Sequence, residues 1–202
     1  MYVVTADQDD SRRRADDVPA LLERLATSGV PLVLPFERTV GDEIQALVAE
    51  PAAVVDVVAA MTRSGGWALG VGIGPVEHPL PDTARAGRGP AYVQARVAVE
   101  RAKSTTSGVA VNGVDAESAT RAQTCLRLLA GLLARRTPTG WQAVDLMRGS
   151  DRQLDVAREL GISAQAVSRR LRVAGFSEER DALELSAWLL AAADADSQEE
   201  PC

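Results

Sequence analysis

Apolar runs and amphipathic stretches alternate through the first half of the chain, a pattern typical of a mixed α+β domain. The order β-α-β-β-α-β, followed by one more helix and strand, predicts a ferredoxin-like (βαββαβ) sheet over residues 1–115. The predicted strands are 2–6, 31–40, 43–49, 67–76 and 108–111, and the predicted helices are 17–27, 51–64 and 92–104.

The second half has only helical periodicity. Residues 116–136 predict a connecting helix, and residues 137–193 predict an all-α helix-turn-helix domain of plain or winged type. The last apolar helix, 178–193, is either a dimer surface or a helix of the core. Residues 194–202 are polar and acidic, which predicts a disordered tail.

Composition narrows the function classes. The chain has 202 residues and a net charge of −6, so it is not a strongly basic nucleic-acid binder overall. Two cysteines and one histidine exclude a disulfide framework and the common zinc fingers. Since no apolar stretch reaches the roughly 20 residues of a membrane span, we expect a cytoplasmic protein with no membrane partner.

Residues 151–173, DRQLDVARELGISAQAVSRRLRV, have the pattern of two short helices joined by a tight turn. Gly161 supplies the positive φ that the turn requires, and Ser163 is a preferred residue at a helix N-cap. The side chains expected to face a small core are Leu154, Val156, Ala157, Leu160, Ile162, Val167 and Leu171.

The outward face of the second helix in this segment is rich in DNA-compatible side chains. Glutamine reads adenine, arginine reads guanine or binds phosphate, and serine contacts the backbone. The segments ELGIS and AVSRRL are similar to the helix-turn-helix of sigma-factor region 4 and of MarR-type winged-helix regulators. The predicted contacts to double-stranded DNA are Ser163, Gln165, Ser168, Arg169, Arg170 and Arg172. The alternative is a small helical bundle with merely solvated arginines.

Two acidic sites lie at chemically meaningful places. Asp7 follows the first strand, and Asp42 occupies the tip of the central hairpin. Because the first strand and this hairpin are neighbours in a βαββαβ sheet, the two carboxylates are expected to approach each other. Such oxygens suit Mg²⁺ with a nucleotide ligand, so Asp7 and Asp42 are predicted metal ligands.

The segments ADQDDSR and GDEIQ resemble the palm of class III nucleotide cyclases and GGDEF domains, and most closely SatD-like bacterial proteins. The resemblance covers residues 1–113. It implies a nucleotide-binding role for two arginines. Arg38 stands where cyclases have a base-reading lysine, and Arg96 stands where they have a phosphate-stabilising arginine. Glu43 and Tyr92 complete this predicted set, although Tyr92 stands where cyclases have an asparagine.

These features together predict a homodimeric transcriptional regulator whose first domain senses a nucleotide or cyclic nucleotide. The departure at Tyr92 favours binding without turnover. A metal-dependent nucleotidyl cyclase or related nucleotide-processing enzyme is the alternative from another class. A third interpretation is an adaptor whose helical domain contacts RNA polymerase.

Overall fold

The computed structural model describes residues 1–9 and 14–199, and confirms the mixed α+β class. The end of the ADQDDSR segment therefore lies outside the described residues. The strands are β1 (Tyr2–Gln8), β2 (Leu34–Arg38), β3 (Glu43–Val48), β4 (Trp67–Ile73) and β5 (Val109–Gly113). The α-helices are α1 (Val18–Thr27), α2 (Pro51–Ser64), α3 (Pro90–Ala102), α4 (Ala116–Ala134), α5 (Pro138–Arg148), α6 (Gln153–Leu160), α7 (Ala164–Val173) and α8 (Phe176–Glu199).

The five strands form one sheet in the order β2-β3-β1-β4-β5. The pairs β2–β3, β3–β1 and β1–β4 are antiparallel, whereas β4 and β5 pair in parallel. Helices α1, α2, α4 and α8 contribute to the large apolar core on one face of the sheet. Helix α3 packs on the opposite face, so the sheet is covered unequally on its two sides.

The glycines of β4 allow α3 to lie directly on the sheet. A Cβ atom at Gly70 would be 2.2 Å from the Val99 nitrogen, and one at Gly72 would be 2.1 Å from the Ala91 carbonyl oxygen. Helix α3 meets the strand with a stripe of small side chains, because Ala91, Ala95, Ala98 and Ala102 are buried. The GVGIG segment is therefore a helix-packing feature of a strand.

Helix α8 is longer than the sequence pattern indicates, and the expectation of disorder is wrong for residues 194–199. The acidic residues there are anchored. Asp194 accepts a hydrogen bond from the Met1 ammonium at 2.7 Å, and Asp196 accepts one from Ser118 at 2.6 Å. Ser197 is buried as well. Residues 200–202, the rest of the predicted tail, are outside the described part.

One face of α8 belongs to the core of the sheet domain, where Leu190 and Ala193 are buried. Its other face leaves Leu185 and Trp188 exposed, at 51% and 65%. Within the described residues, no helix is both long and apolar enough to cross a membrane.

Candidate functional site

The turn between α6 and α7 is built as the sequence predicts. Gly161 has φ +64°, in the left-handed region that favours glycine, and the Ile162 amide donates to the Ala157 carbonyl at 3.1 Å. The Ser163 hydroxyl accepts from the Ala166 amide at 3.2 Å and so caps α7. The Ser163 hydroxyl that the sequence predicts to contact DNA thus has a structural role as the cap of α7.

A small second core holds α7 against α5 and α6. Val167 and Leu171 point inward, as expected from their four-residue spacing, and pack with the helix α6 residues Val156 and Ala157. Leu154 was expected to face this core but is exposed. The first residues of α6 are thus exposed, and the buried face of that helix begins at Val156.

The outward face of α7 presents the predicted DNA contacts to solvent. Gln165, Ser168, Arg169 and Arg172 are exposed, and Arg170 is half-buried. In the described ranges none of the three arginines has an acidic partner. This helix face therefore carries uncompensated positive charge.

Arg136, which follows α4, holds the C-terminal end of α7. Its Nε and Nη2 atoms donate to the Ala174 carbonyl, at the end of α7, at 2.9 and 2.8 Å. The guanidinium lies 4.3 Å from the centroid of the Trp141 ring and pairs with Glu179 at 3.2 Å. The side chains of Arg136 and Glu179 are 0% and 3% exposed, so this ion pair is buried.

Further ion pairs connect Glu179 and α5 to α2, which packs on the sheet. Glu179 also accepts from Arg148 at 2.7 Å, and Asp145 of the same helix α5 binds Arg63 of α2 through two hydrogen bonds. The Arg63 guanidinium lies 4.3 Å from the Trp141 ring centroid as well. Polar contacts thus link α2, α5, α8 and the end of α7. The sequence pattern does not reveal them, since the partners Arg63 and Asp145, and Arg136 and Glu179, are far apart along the chain.

Asp7, near the end of β1, pairs with a lysine. Its carboxylate lies 3.0 Å from the Lys103 Nζ atom, which also contacts Glu100 at 2.8 Å. Partial burial disfavours the ammonium form, but the hydrogen bonds to Glu100 and Asp7 outweigh it and raise the pKa of Lys103. The ammonium therefore stays charged and partly neutralises Asp7.

Strand register decides which hairpin carboxylate shares a face with Asp7. Asp7 lies opposite Glu43 in the β1–β3 pair, and directly paired residues point to the same side. On that side Glu43 approaches the Arg96 Nη2 atom at 4.0 Å. Of the predicted nucleotide-binding set, the structure brings Glu43 and Arg96 together near the Asp7 side of the sheet.

Asp42 and Arg38 line a different depression, together with Gln8, Asp16 and Gly41. Arg38 forms an ion pair with Asp16, and the hydrogen bond from this guanidinium lowers the pKa of the Asp16 carboxyl. Asp7 does not line this depression but a larger one. The two predicted metal ligands thus line different depressions, both bordered by Gln8, and Mg²⁺ binding stays a prediction. No group of three or more metal-ligating side chains is formed by the described residues.

Tyr92 packs in an apolar cluster with neighbours such as Val3, Leu34 and Leu47. Its hydroxyl is buried and has no hydrogen-bond partner among the described residues. Burial raises the pKa of this phenol, and the nearby Glu37 charge raises it further. The ring fills the space beside Gly87, where a Cβ would lie 1.9 Å from the hydroxyl oxygen. Tyr92 is thus held by packing.

A cavity of about 870 Å³ adjoins Asp7. It lies where α2, α3 and α4 end and where the turn 105–108 precedes β5. Pockets for small molecules commonly measure about 300–1,000 Å³. Its polar lining includes Asp7, Gln8, Asp9, Thr62, Lys103, Thr105, Thr106 and Ser107.

The chain matches no protein-family model, no curated protein and no solved structure. Functional inference therefore rests on the geometry of the chain itself.

Proposed function

We propose that the protein is a DNA-binding transcriptional regulator, with a ferredoxin-like palm domain and a helix-turn-helix domain. The strand order β2-β3-β1-β4 supports the first assignment, and the α6–turn–α7 geometry supports the second. The observation that carries the DNA-binding proposal is the exposed face of α7, whose three arginines lack acidic partners in the described chain. Such a helix places base-reading and phosphate-binding groups in a major groove.

The test is DNA binding by the Arg169→Ala/Arg172→Ala variant. Duplexes selected by the wild-type protein from a random pool are titrated over a range of salt concentrations. We expect the double variant to lose the mobility shift at about 0.1 M salt, because each lost phosphate contact removes roughly 0.9 from the log–log salt slope.

Arg121→Gln is the matched control for this test. Arg121 is an exposed arginine of α4 that pairs with Glu117 within the same helix. We expect this variant to bind like the wild type, since it removes one positive charge far from α7. Equal affinity of the double variant and the control would contradict the proposal.

We further propose that the regulator acts as a homodimer. A single near-neutral helix-turn-helix unit binds weakly, and two units on adjacent half-sites double the contacts. Exposed apolar side chains on two helices support this part, since Leu128 of α4 is 71% exposed in addition to Leu185 and Trp188 of α8.

The sheet domain is proposed to bind a nucleotide or cyclic-nucleotide effector. The supporting observation is the cavity of about 870 Å³, which both Asp7 and Lys103 line. The Lys103 ammonium is paired with Asp7 there. Helix α4 ends at this cavity and leads directly to Arg136, which holds α7. A ligand that moves the end of α4 would thus change the position of the DNA-binding helix.

A nucleotide panel tests the sensing proposal. DNA affinity is measured with and without each mono-, tri- and cyclic nucleotide, in the presence of Mg²⁺. We expect one class to change the affinity by at least 5-fold, the lower end of ordinary allosteric coupling. Asp7→Asn should remove this effect, while Asp42→Asn, in the separate depression, should retain it. Unchanged affinity with every nucleotide would reject sensing.

The enzyme alternative is less well supported. A nucleotidyl cyclase needs its two acidic ligands on the same cations, but Asp7 and Asp42 line different depressions. The mixtures of the nucleotide panel also test this alternative, because product formation from ATP or GTP would reveal turnover.

A further inference from the structure

A small basic pocket lies between the beginning of α5 and the outer side of α7. Its volume is about 250 Å³. The polar part of its lining comes from three helices and consists of Arg135, Thr137, Thr139, Gly140, Arg169 and Arg170. Arg135, Thr137 and Thr139 are not among the side chains that the sequence pattern assigned to DNA.

The charge of this pocket is one-sided. Three arginines line it and no acidic residue does, and no ion pair neutralises these arginines within the described residues. The Arg135 Nε atom donates to the Gly131 carbonyl at 2.9 Å, which leaves the terminal nitrogens of this guanidinium for a ligand. Neighbouring positive charges repel one another, and an anion bound between them offsets that repulsion. Arginine is also the side chain whose planar fork best fits the oxygens of a phosphate.

The start of α5 adds hydrogen-bonding groups to the same pocket. The Thr137 hydroxyl accepts from the Gly140 amide at 3.2 Å and lies 3.2 Å from the Thr139 hydroxyl oxygen. The amides of a first helical turn point outward along the axis and favour negative charge. Threonine hydroxyls at the start of α5 and arginines from the end of α4 and from α7 therefore line the same pocket.

We propose that this pocket binds a phosphate group, and that a backbone phosphate of DNA occupies it when the protein binds a duplex. This inference rests on the proposed DNA-binding function and adds a contact to it. Arg169 and Arg170 belong to both the pocket and α7, so a phosphate held here would set the depth of α7 in the groove. Arg135 follows α4, and this contact would connect the sheet domain to the DNA backbone.

The first experiment uses inorganic phosphate alone. Amide resonances of the full-length protein are recorded by NMR during a phosphate titration at constant ionic strength. We expect saturable shifts at Thr139 and Gly140 in the wild-type protein, and at least a 5-fold weaker response in Arg135→Gln. Arg121→Gln, in the same helix α4 but about 21 Å away along its axis, should respond like the wild type. Thermal unfolding of the variants verifies that each is folded.

The second experiment measures DNA binding of the same variants against salt concentration. Loss of a phosphate contact should lower the salt slope of Arg135→Gln by about 0.9 and weaken binding to all sequences alike, by roughly 5-fold at 0.1 M salt. Phosphate-induced shifts without a change in slope would identify a free phosphate compound, not DNA, as the occupant. Neither shifts nor a slope change would overturn the proposal.

The two proposals fail in different ways. If the wild-type protein binds no duplex but phosphate still shifts Thr139 and Gly140, the DNA-binding function fails and the phosphate site stands. If the wild-type protein binds DNA while Arg135→Gln is identical to it in both experiments, the function stands and the pocket carries no phosphate.

Discussion

Replacing Arg136 by methionine is expected to lower the free energy of unfolding by about 3–5 kcal/mol, the usual cost of breaking a buried ion pair from one side. The substitution removes both hydrogen bonds to the Ala174 carbonyl, the pairing with Glu179 and the contact with the Trp141 ring. Urea denaturation of the full-length chain measures the loss. On the proposed function, DNA affinity should fall too, because the end of α7 is no longer held.

Two controls separate pairing from packing. Arg148→Met removes the other partner of Glu179, but the Arg148 side chain is half-exposed, and solvent screening limits the expected loss to about 1 kcal/mol. In the double variant Arg136→Met/Glu179→Leu no buried charge is left without its partner, and we expect it to recover much of the stability. If the single Arg136→Met variant were as stable as Arg148→Met, the buried Arg136–Glu179 pair would contribute no more to the free energy of unfolding than the half-exposed one.

Local features of α6, α7 and the turn between them were predictable because they depend on neighbouring residues. The turn glycine Gly161, the cap Ser163 and the inward pair Val167 and Leu171 all lie where the pattern of 151–173 places them. A helix-turn-helix is a short unit whose geometry depends on sequence spacing, so its local pattern suffices.

Long-range pairings were not predictable in the same way. Arg136 and Glu179 are 43 positions apart, and nothing in the local sequence distinguishes Arg136 from its exposed neighbour Arg135. The helical end of α8 depends likewise on Ser118 and on the Met1 ammonium, both distant in sequence. Acidic composition alone suggested disorder, because these partners were not visible.

The acidic site was predictable in its parts but not in its pairing. Asp42 and Glu43 both occupy the hairpin tip, and a shift of one residue in strand register exchanges the faces on which side chains lie. The observed register puts Glu43, not Asp42, opposite Asp7. That the first strand and the hairpin are neighbours was predictable, but which hairpin carboxylate shares a face with Asp7 depends on a register that the sequence does not determine.

The tight contact between β4 and α3 gives the other large expected effect. Gly72→Ala should destabilise the protein by about 3 kcal/mol, at the upper end of the range for overpacked cores. The new Cβ would lie 2.1 Å from the Ala91 oxygen and 2.2 Å from the Ala95 nitrogen. Because these are backbone atoms of α3, no side chain can rotate away, and the whole helix must move off the sheet.

Gly131→Ala is the matched control, since it adds the same methyl group with the opposite expected result. Gly131 lies inside α4, and its Cβ would meet no atom within 4 Å. Alanine in a helix interior is favoured over glycine by about 0.5–1 kcal/mol, so this variant should unfold at a higher urea concentration than the wild type. If both substitutions shifted the urea midpoint in the same direction, the close approach of α3 to β4 would not be the reason for glycine at position 72. Opposite shifts would show that the glycines of β4 are required for the close packing of α3 on the sheet.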